Sequence, residues 1–257
     1  MKKYKFTEET KTIDLPFGTV TLHRIKAVVE FGLVKVGDLG GWIEKEENLS
    51  HEENAWVYGD AKVCGNAWVY GNAKVCGNAK VYGDAEVYGD AEVRGNAKVY
   101  GNAEAYGDAK VCGNAWVCGN AWVCGNAWVC GNAWVCGDAE VYGDAKVCGN
   151  AWVYGNAKVY GDAKVCGNAK VYGDAKVFST DHVLVIGAIG SRNDFTTFFR
   201  DKDNEITVKC GCFLGKIDKF LEKVTQTHKD TKHTLAYRTA VEVAKLQIDL
   251  TEKSTRR

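Results

Sequence analysis

Asn114-Ala-Trp-Val-Cys-Gly119 is followed without a gap by Asn120-Ala-Trp-Val-Cys-Gly125, and this six-residue pattern decides the fold of the chain. The pattern Asn/Asp-Ala-x-Val-y-Gly runs through 21 consecutive units, from Asn54 to Ser179, where Ser stands in place of the last Gly. A short repeat at a fixed period indicates a solenoid, in which each unit is one structural element that stacks on its neighbours.

Within each unit, Ala and Val are two residues apart, so they point to the same side of a β-strand. The residues at x and y, which are mostly Lys, Glu, Trp, Tyr and Cys, point to the other side. The sequence therefore predicts Ala and Val inside and x and y outside. Gly followed by Asn or Asp predicts a corner, because both positions tolerate left-handed backbone conformations.

One six-residue unit cannot bury its own apolar side, so we expect three units to form an 18-residue triangular coil. The 21 units then make seven coils, stacked about 4.8 Å apart around a narrow interior of Val and Ala. Ala105 is the one break in the Val column, and we expect a small void beside it.

Pairs such as Val57 with Ala61, and Val63 with Ala67, resemble the hexapeptide-repeat family, whose motif places a small residue four positions after an aliphatic one. The resemblance covers about half the chain and implies a mainly β protein with a left-handed parallel β-helix. A right-handed solenoid would need longer and less regular coils, and a β-propeller about forty residues per blade.

Residues 1–53 are predicted to form an N-terminal cap and degenerate first coils, before the helix of residues 54–180. Residues 20–27 and 34–36 are predicted strands, and counting in sixes places Ile43 and Leu49 in the Ala column. Residues 22–27, 37–42 and 48–50 resemble the cap of bacterial and prophage hexapeptide-repeat proteins, which are often labelled acetyltransferases.

Residues 181–257 are predicted to form a small α+β domain of three strands and two helices. The strands are expected at 183–186, 195–199 and 206–210, and the helical spacing of apolar residues covers 217–224 and 237–248. Residues 189–193 and 210–213 resemble a module of phage-borne proteins, and this resemblance implies no particular activity.

Composition excludes several classes of function. Lys+Arg and Asp+Glu both number 33, so nucleic acid is not an expected partner. The sequence has no run of about 18 apolar residues, so no membrane span is predicted. The first residues also lack the apolar stretch of a secretory signal. The odd number of cysteines, 11, favours free thiols in a reducing cytoplasm.

The family resemblance implies acyl transfer, with a catalytic histidine on a coil or an extruded loop and acetyl-CoA between coils of a trimer. No histidine lies between Asn54 and Ser179, and no loop leaves the repeats. The histidines all lie outside the repeats: His23, His51, His182, His228 and His233. We therefore predict no catalytic residue and no cofactor.

Trp116, Trp134 and Trp152 are 18 residues apart, so they are predicted to stack on one outer face together with Tyr154; we name these four residues the aromatic face. An exposed apolar patch of this kind usually marks a contact site. Self-association is the favoured use, with a trimer as the favoured assembly. A platform for an unknown protein or small molecule remains open, as does simple copying of Trp during repeat duplication.

The cysteines at position y also form columns. Stacking predicts one column of Cys112, Cys130, Cys148 and Cys166, and a second of Cys118 and Cys136. Such a column could bind soft metal or form disulfides, but a straight row is a poor tetrahedral cage, so no metal site is predicted.

A weaker candidate site is the polar loop Ser191, Arg192 and Asn193, which could bind an anion. The sequence thus favours a non-enzymatic, cytoplasmic, self-associating scaffold or binding protein of bacterial or phage type. The alternatives are an acetyl-CoA-dependent acyltransferase and a phage protein that sequesters a small nucleotide-like ligand.

Overall fold

The chain, described by a computed structural model over residues 1–15 and 18–251, forms a three-sided parallel β-solenoid with a small domain at its C-terminal end. The mainly β fold and the parallel β-helix are thus confirmed. Among the described residues, no helix is both long and apolar enough to cross a lipid bilayer.

Three parallel sheets form the sides of the solenoid, and their strands, β3 to β24, follow one another around the coil. Face 1 consists of β3 and every third strand from β5: Leu39–Ile43, Lys62–Val63, Lys80–Gly83, Lys98–Gly101, Trp116–Val117, Trp134–Gly137, Trp152–Gly155 and Lys170–Tyr172. Face 2 begins with β4: Trp56–Val57, Lys74–Val75, Glu92–Val93, Lys110–Val111, Trp128–Val129, Lys146–Val147 and Lys164–Val165. Face 3 begins with β6: Trp68–Val69, Glu86–Val87, Glu104–Ala105, Trp122–Val123, Glu140–Val141, Lys158–Val159 and Lys176–Val177.

The interior is as the repeat predicts. The Ala and Val of all 21 units are buried, including Ala105, and they form one continuous core. Each corner glycine has a positive φ; at Gly113 the angle is 71°, and an added Cβ would lie 2.9 Å from the carbonyl oxygen of Gly131 in the next coil. Only glycine fits there, because both the backbone angle and the coil spacing exclude a side chain.

Asparagine side chains tie successive coils together at the corners. Asn96 donates from Nδ2 to Oδ1 of Asn114 at 3.0 Å, and the same bond recurs from Asn114 to Asn132 and from Asn132 to Asn150. These stacked amide side chains form a ladder that stabilises the corners of the solenoid.

The first coil is in a different register from the one predicted. Ile43 pairs with Val63 and Leu49 with Val69, so both continue the Val column and not the Ala column. The cause is the turn at residues 50–54, which makes the distance from Leu49 to Val57 two residues longer than one repeat. With this coil the solenoid has about eight turns, one more than the 21 units alone provide.

The N-terminal residues form a hairpin of β1 (Tyr4–Leu15) and β2 (Gly18–Ala27), and β2 pairs antiparallel with β3. The strand predicted at 20–27 is confirmed. The strand predicted at 34–36 is wrong, because this segment is a turn in which only Val34 makes an isolated bridge, to Phe31. A short 3-10 helix, Glu46–Asn48, completes the cap.

The C-terminal segment forms an antiparallel sheet in the order β25-β26-β27-β28 and two helices. Its elements after the 3-10 helix Thr180–His182 are β25 (Val183–Ile189), β26 (Asp194–Arg200), β27 (Ile206–Cys210), β28 (Phe213–Lys216), α1 (Ile217–His228) and α2 (Lys232–Gln247). The three predicted strands and both helices are present, and β28 is an additional strand. The last six residues of the predicted domain, 252–257, lie outside the described residues.

This C-terminal sheet covers the open end of the solenoid. Phe199 is fully buried in the solenoid core, and the backbone N–H of Lys170 donates to Oγ1 of Thr197 at 2.9 Å. Lys202 adds an ion pair with Asp174 at 2.8 Å. The edge that would otherwise recruit another chain is therefore capped.

Candidate functional site

The indoles of the aromatic face form a stack along face 1. Strand pairing places Trp116 beside Trp134 and Trp134 beside Trp152. The ring centroids are 4.7 and 4.9 Å apart and the planes lie within 6° of parallel. The stack is as the sequence predicts, and its role in binding stays a prediction.

The first coils of face 1 are covered by the β1–β2 hairpin of the same chain. A buried outer cluster holds hairpin and solenoid residues together: Leu22, Trp42, Cys64 and Tyr82, with Ile13, Leu15, Val20 and Tyr100 packed against it. Tyr100 meets Trp116 edge-on at 6.0 Å, and Nζ of Lys98 lies 4.1 Å from the Trp116 ring. The outer surface of face 1 is thus covered by the hairpin as far as Tyr100.

Beyond Trp116 the column becomes accessible. Trp116 and Trp134 are half-buried, whereas Trp152 is 37% exposed and Tyr154 is 51% exposed. Trp134, Trp152, Tyr154 and Tyr172 line a groove of about 290 Å³ together with Cys118 and Cys136, and almost none of its lining is polar. Water contacts this apolar surface, so its burial against another surface would be favourable.

Two disulfides lie in the cysteine columns. Cys118 is bonded to Cys136 within the groove, and Cys148 is bonded to Cys166 on face 2; the Cα atoms of each pair are 4.6 Å apart. The prediction of free thiols is wrong for these four residues, because stacked coils hold facing Cys residues within the distance range of a disulfide. The 18-residue spacing of these cysteines was the signal from which both disulfides could have been predicted.

The weaker candidate loop lies at the far end of the C-terminal domain. Ser191, Arg192 and Asn193 are exposed between β25 and β26, and Asn193 adopts a left-handed φ of 48°. Ser191 and Arg192 line a cavity of about 470 Å³, whose lining also includes aromatic and basic side chains, whereas Asn193 does not line it. The other lining residues are Cys210, Gly211, Cys212, Phe213, Phe220, Lys223, Val224, Thr227, His228 and Tyr237.

Tyr237 is one of the residues that line that cavity. Its hydroxyl group is a hydrogen-bond partner of the Cys210 thiol at 3.8 Å, and burial raises the pKa of Tyr237 to about 12. A phenol with this pKa stays protonated at neutral pH and can donate a hydrogen bond. The structure leaves the anion-binding prediction for Ser191, Arg192 and Asn193 as a prediction.

The histidines do not converge on the aromatic face. His51 accepts from the backbone N–H of Lys3, and burial lowers its pKa. His182 is buried against the Phe178 ring at 4.1 Å and lies beside Arg200. His228 and His233 lie near one another in the C-terminal domain, with ring centroids 5.7 Å apart.

A large charged groove on face 2 was not identified from the sequence. Its volume is about 900 Å³, and it runs beneath the loop at Gly32 and Leu33. Lys74, Glu92, Lys110, Trp128 and Lys146 line it along the x column, with Asn and Asp from the corners. The 18-residue spacing of these side chains was available in the sequence, but the overhanging loop was not.

Comparison with known proteins gives one short similarity. The chain is 37% identical over 62 residues to a protein of Escherichia coli (strain K12) named "Uncharacterized acetyltransferase YdcK". The match covers 23% of this chain and 19% of that protein, so it spans about a fifth of the relative's length. No protein-family profile matches the chain.

This similarity supports a weak homology to an acetyltransferase-like protein. Together with the parallel solenoid, it bears out the predicted resemblance to hexapeptide-repeat proteins that carry the acetyltransferase label.

Proposed function

We propose that the chain is a non-enzymatic scaffold that associates with copies of itself through the aromatic face. The observation that carries this proposal is the change along face 1. The chain covers the outer surface of the first coils with its own hairpin and leaves the same surface accessible from Trp116 to Tyr172. Because the outer side of face 1 is covered by the hairpin in its first coils, the apolar continuation of the same side in the later coils is suited to being covered by a second surface.

The chemistry of the surface favours a protein contact. Aromatic side chains dominate the energetics of interfaces, and the centre of an interface is poor in charge. The aromatic face provides three stacked indoles and a phenol, and the groove beside it adds the Cys118–Cys136 disulfide, with no charged side chain among its lining residues. Because every coil repeats the one before, the surface is regular along the solenoid axis, and a second copy would present the same regular spacing of aromatic side chains to it. The family resemblance favours a trimer.

The test replaces Trp116, Trp134 and Trp152 together by Lys. The variant should fold, because the same column of face 1 already stacks Lys62, Lys80 and Lys98 in successive coils. Its mass by light scattering should fall from that of an oligomer to that of a monomer, since three charges would enter the contact.

The matched control is Trp122→Lys on face 3, where the indole is 44% exposed and more accessible than any in the aromatic face. The control should keep the mass of the native protein. A native protein that is already monomeric, or a triple variant with unchanged mass, would overturn the proposal.

An acetyl-CoA-dependent acyltransferase is the second candidate, and the similarity to the named acetyltransferase favours it. Such an enzyme would need a general base near the acyl carrier, and the repeats contain no histidine. Calorimetry with acetyl-CoA at about 1 mM, the weak end of ordinary substrate affinity, should give no binding heat. Saturable binding of acetyl-CoA in the micromolar range would overturn the scaffold proposal in favour of the acyltransferase.

A further inference from the structure

Face 2 carries a column of four cysteines on its outer side. Cys112, Cys130, Cys148 and Cys166 follow one another in successive coils, because their strands pair in parallel without a shift. Cys112 lies close enough to Cys130 to help burial raise the pKa of Cys130, and Cys148 and Cys166 form a disulfide. In each pair, the two sulfur atoms therefore approach each other along the solenoid axis.

This column cannot supply a tetrahedral site. Within residues 1–15 and 18–251, no three His, Cys, Asp or Glu side chains come together as potential ligands of one ion. Each thiol in the column has at most two neighbouring thiols, one in the coil before and one in the coil after. Among the described residues, no further ligands lie beside them to complete a tetrahedron. Zinc, which takes four ligands, is poorly served.

A two-coordinate ion has different requirements. Monovalent copper has a filled d shell, prefers soft thiolate ligands and accepts two of them in a line. Two thiolate–metal bonds of about 2.3 Å each, the length of a zinc–thiolate bond, span about 4.6 Å when placed in a line. The Cα atoms of the two disulfide-bonded pairs are 4.6 Å apart, so reduced cysteines stacked with parallel side chains would place their sulfur atoms at this span.

The surrounding charges suit the product of binding. A monovalent ion with two thiolates carries one net negative charge. Lys110, Lys146 and Lys164 occupy the neighbouring x column on the same face. Arg94 occupies the position above Cys112 in the cysteine column.

We propose that the reduced column of Cys112, Cys130, Cys148 and Cys166 binds two Cu(I) ions, one between Cys112 and Cys130 and one between Cys148 and Cys166. Each thiol releases its proton and its sulfur forms a bond to the ion, whose oxidation state does not change. The Cys148–Cys166 disulfide first accepts two electrons and two protons from a small thiol reductant, which is itself oxidised to a disulfide.

The experiment titrates the full-length, fully reduced protein without oxygen against the coloured complex of Cu(I) with bicinchoninate. Loss of colour counts the ions that the protein withdraws. The test variant, Cys112→Ser with Cys148→Ser, leaves Cys130 and Cys166 two coils apart, about 9.6 Å. No single ion can bridge that distance in a line, so this variant should withdraw about two ions fewer than the native protein.

The matched control is Cys76→Ser with Cys124→Ser, which removes the same number of thiols from the same repeat position. Cys76 stacks between Tyr58 and Arg94, and Cys124 between Tyr106 and Tyr142. The control should withdraw as many ions as the native protein, and circular dichroism should show both variants folded. Equal losses in the two variants, or no loss in either, would overturn the proposal; so would withdrawal of Zn(II) from an indicator as strong as that of Cu(I).

Discussion

Replacing Ala105 by Val should stabilise the protein. Ala105 is fully buried in face 3 and pairs with Val87 in the coil before it and Val123 in the coil after it. All the remaining units of the repeat have Val at this position. The interior is therefore built for Val, and the two missing methyl groups should leave space that no neighbour fills.

The magnitude follows from the buried carbon atoms. Each buried methyl group contributes about 0.8 kcal/mol, so restoring two gives an increase of about 1.6 kcal/mol in the free energy of unfolding. For a chain of this size that corresponds to a rise of about 3 to 6 °C in the melting temperature. Val also has a higher strand propensity than Ala, which acts in the same direction.

The assay is thermal and denaturant unfolding of three proteins: the native chain, Ala105→Val and the converse Val123→Ala in the adjacent coil. Val123→Ala should lower the free energy of unfolding by about 2 to 3 kcal/mol, because it removes the same two methyl groups and opens a cavity. If Ala105→Val destabilised the protein instead, the coils would have closed around Ala105 and the added methyl groups would overpack them. The assumption that each coil has a fixed cross-section would then be refuted.

Three further predictions test the two sides and the end of the solenoid. Val123→Asp should abolish folding, since a buried unpaired carboxylate costs several kcal/mol, whereas Lys146→Ala on the outside should change stability by about 0.5 kcal/mol or less; equal melting temperatures would contradict the assignment of inside and outside. Deletion of residues 181–257 should leave β-structure that aggregates on size-exclusion chromatography, because the last coil loses its cover; a monodisperse truncated solenoid would remove the capping role. Burial raises the pKa of Tyr142 to about 12, so the stability from its protonated phenol is complete below the ordinary pKa of about 10 and is lost as the pH rises through about 12. Ultraviolet absorbance should show this delayed ionisation together with a falling melting temperature, and titration near pH 10 without loss of stability would contradict it.

The solenoid could be predicted from the sequence because each unit states its own geometry. Ala and Val alternate with outward residues, and Gly marks each corner, so 21 repetitions leave no choice of sides. The first coil was harder, since nothing in residues 50–54 marks the two extra positions that move Ile43 and Leu49 into the Val column. Registers counted across a turn depend on its length, and turn length has no periodic signal.

The flanking elements show where sequence patterns lose information. β1 was missed because most residues of Tyr4–Leu15 remain exposed, so no apolar alternation identifies it as a strand. β28 is short and follows β27 after a two-residue turn, and its Phe213 packs beside the helices. The helices were identified because α1 keeps Phe220 and Val224 buried at helical spacing.

The sequence predicts which side chains of the candidate site stack on one another, but it does not predict which other segments of the chain surround them. An 18-residue spacing places Trp134 over Trp152 and Cys118 over Cys136. The hairpin that covers Tyr82, and the contribution of Tyr172 to the groove, depend on contacts between segments far apart in the chain.

The threefold arrangement of the sheets has a consequence for how this gene can change in length. Neighbouring units are nearly identical, so unequal recombination would add or remove them in steps of six residues. Every such step keeps Ala and Val inside, so we expect only a small change in the free energy of unfolding. A step of 18 residues also preserves each outer column. A step of six or twelve instead turns everything downstream by one or two sides of the triangle, so that Trp152 would no longer lie beneath Trp134 and the C-terminal cap would face another direction relative to the hairpin. The number of units can therefore change in any step of six residues without loss of the fold. Only steps of 18 residues, one whole turn, also preserve the outer columns of side chains.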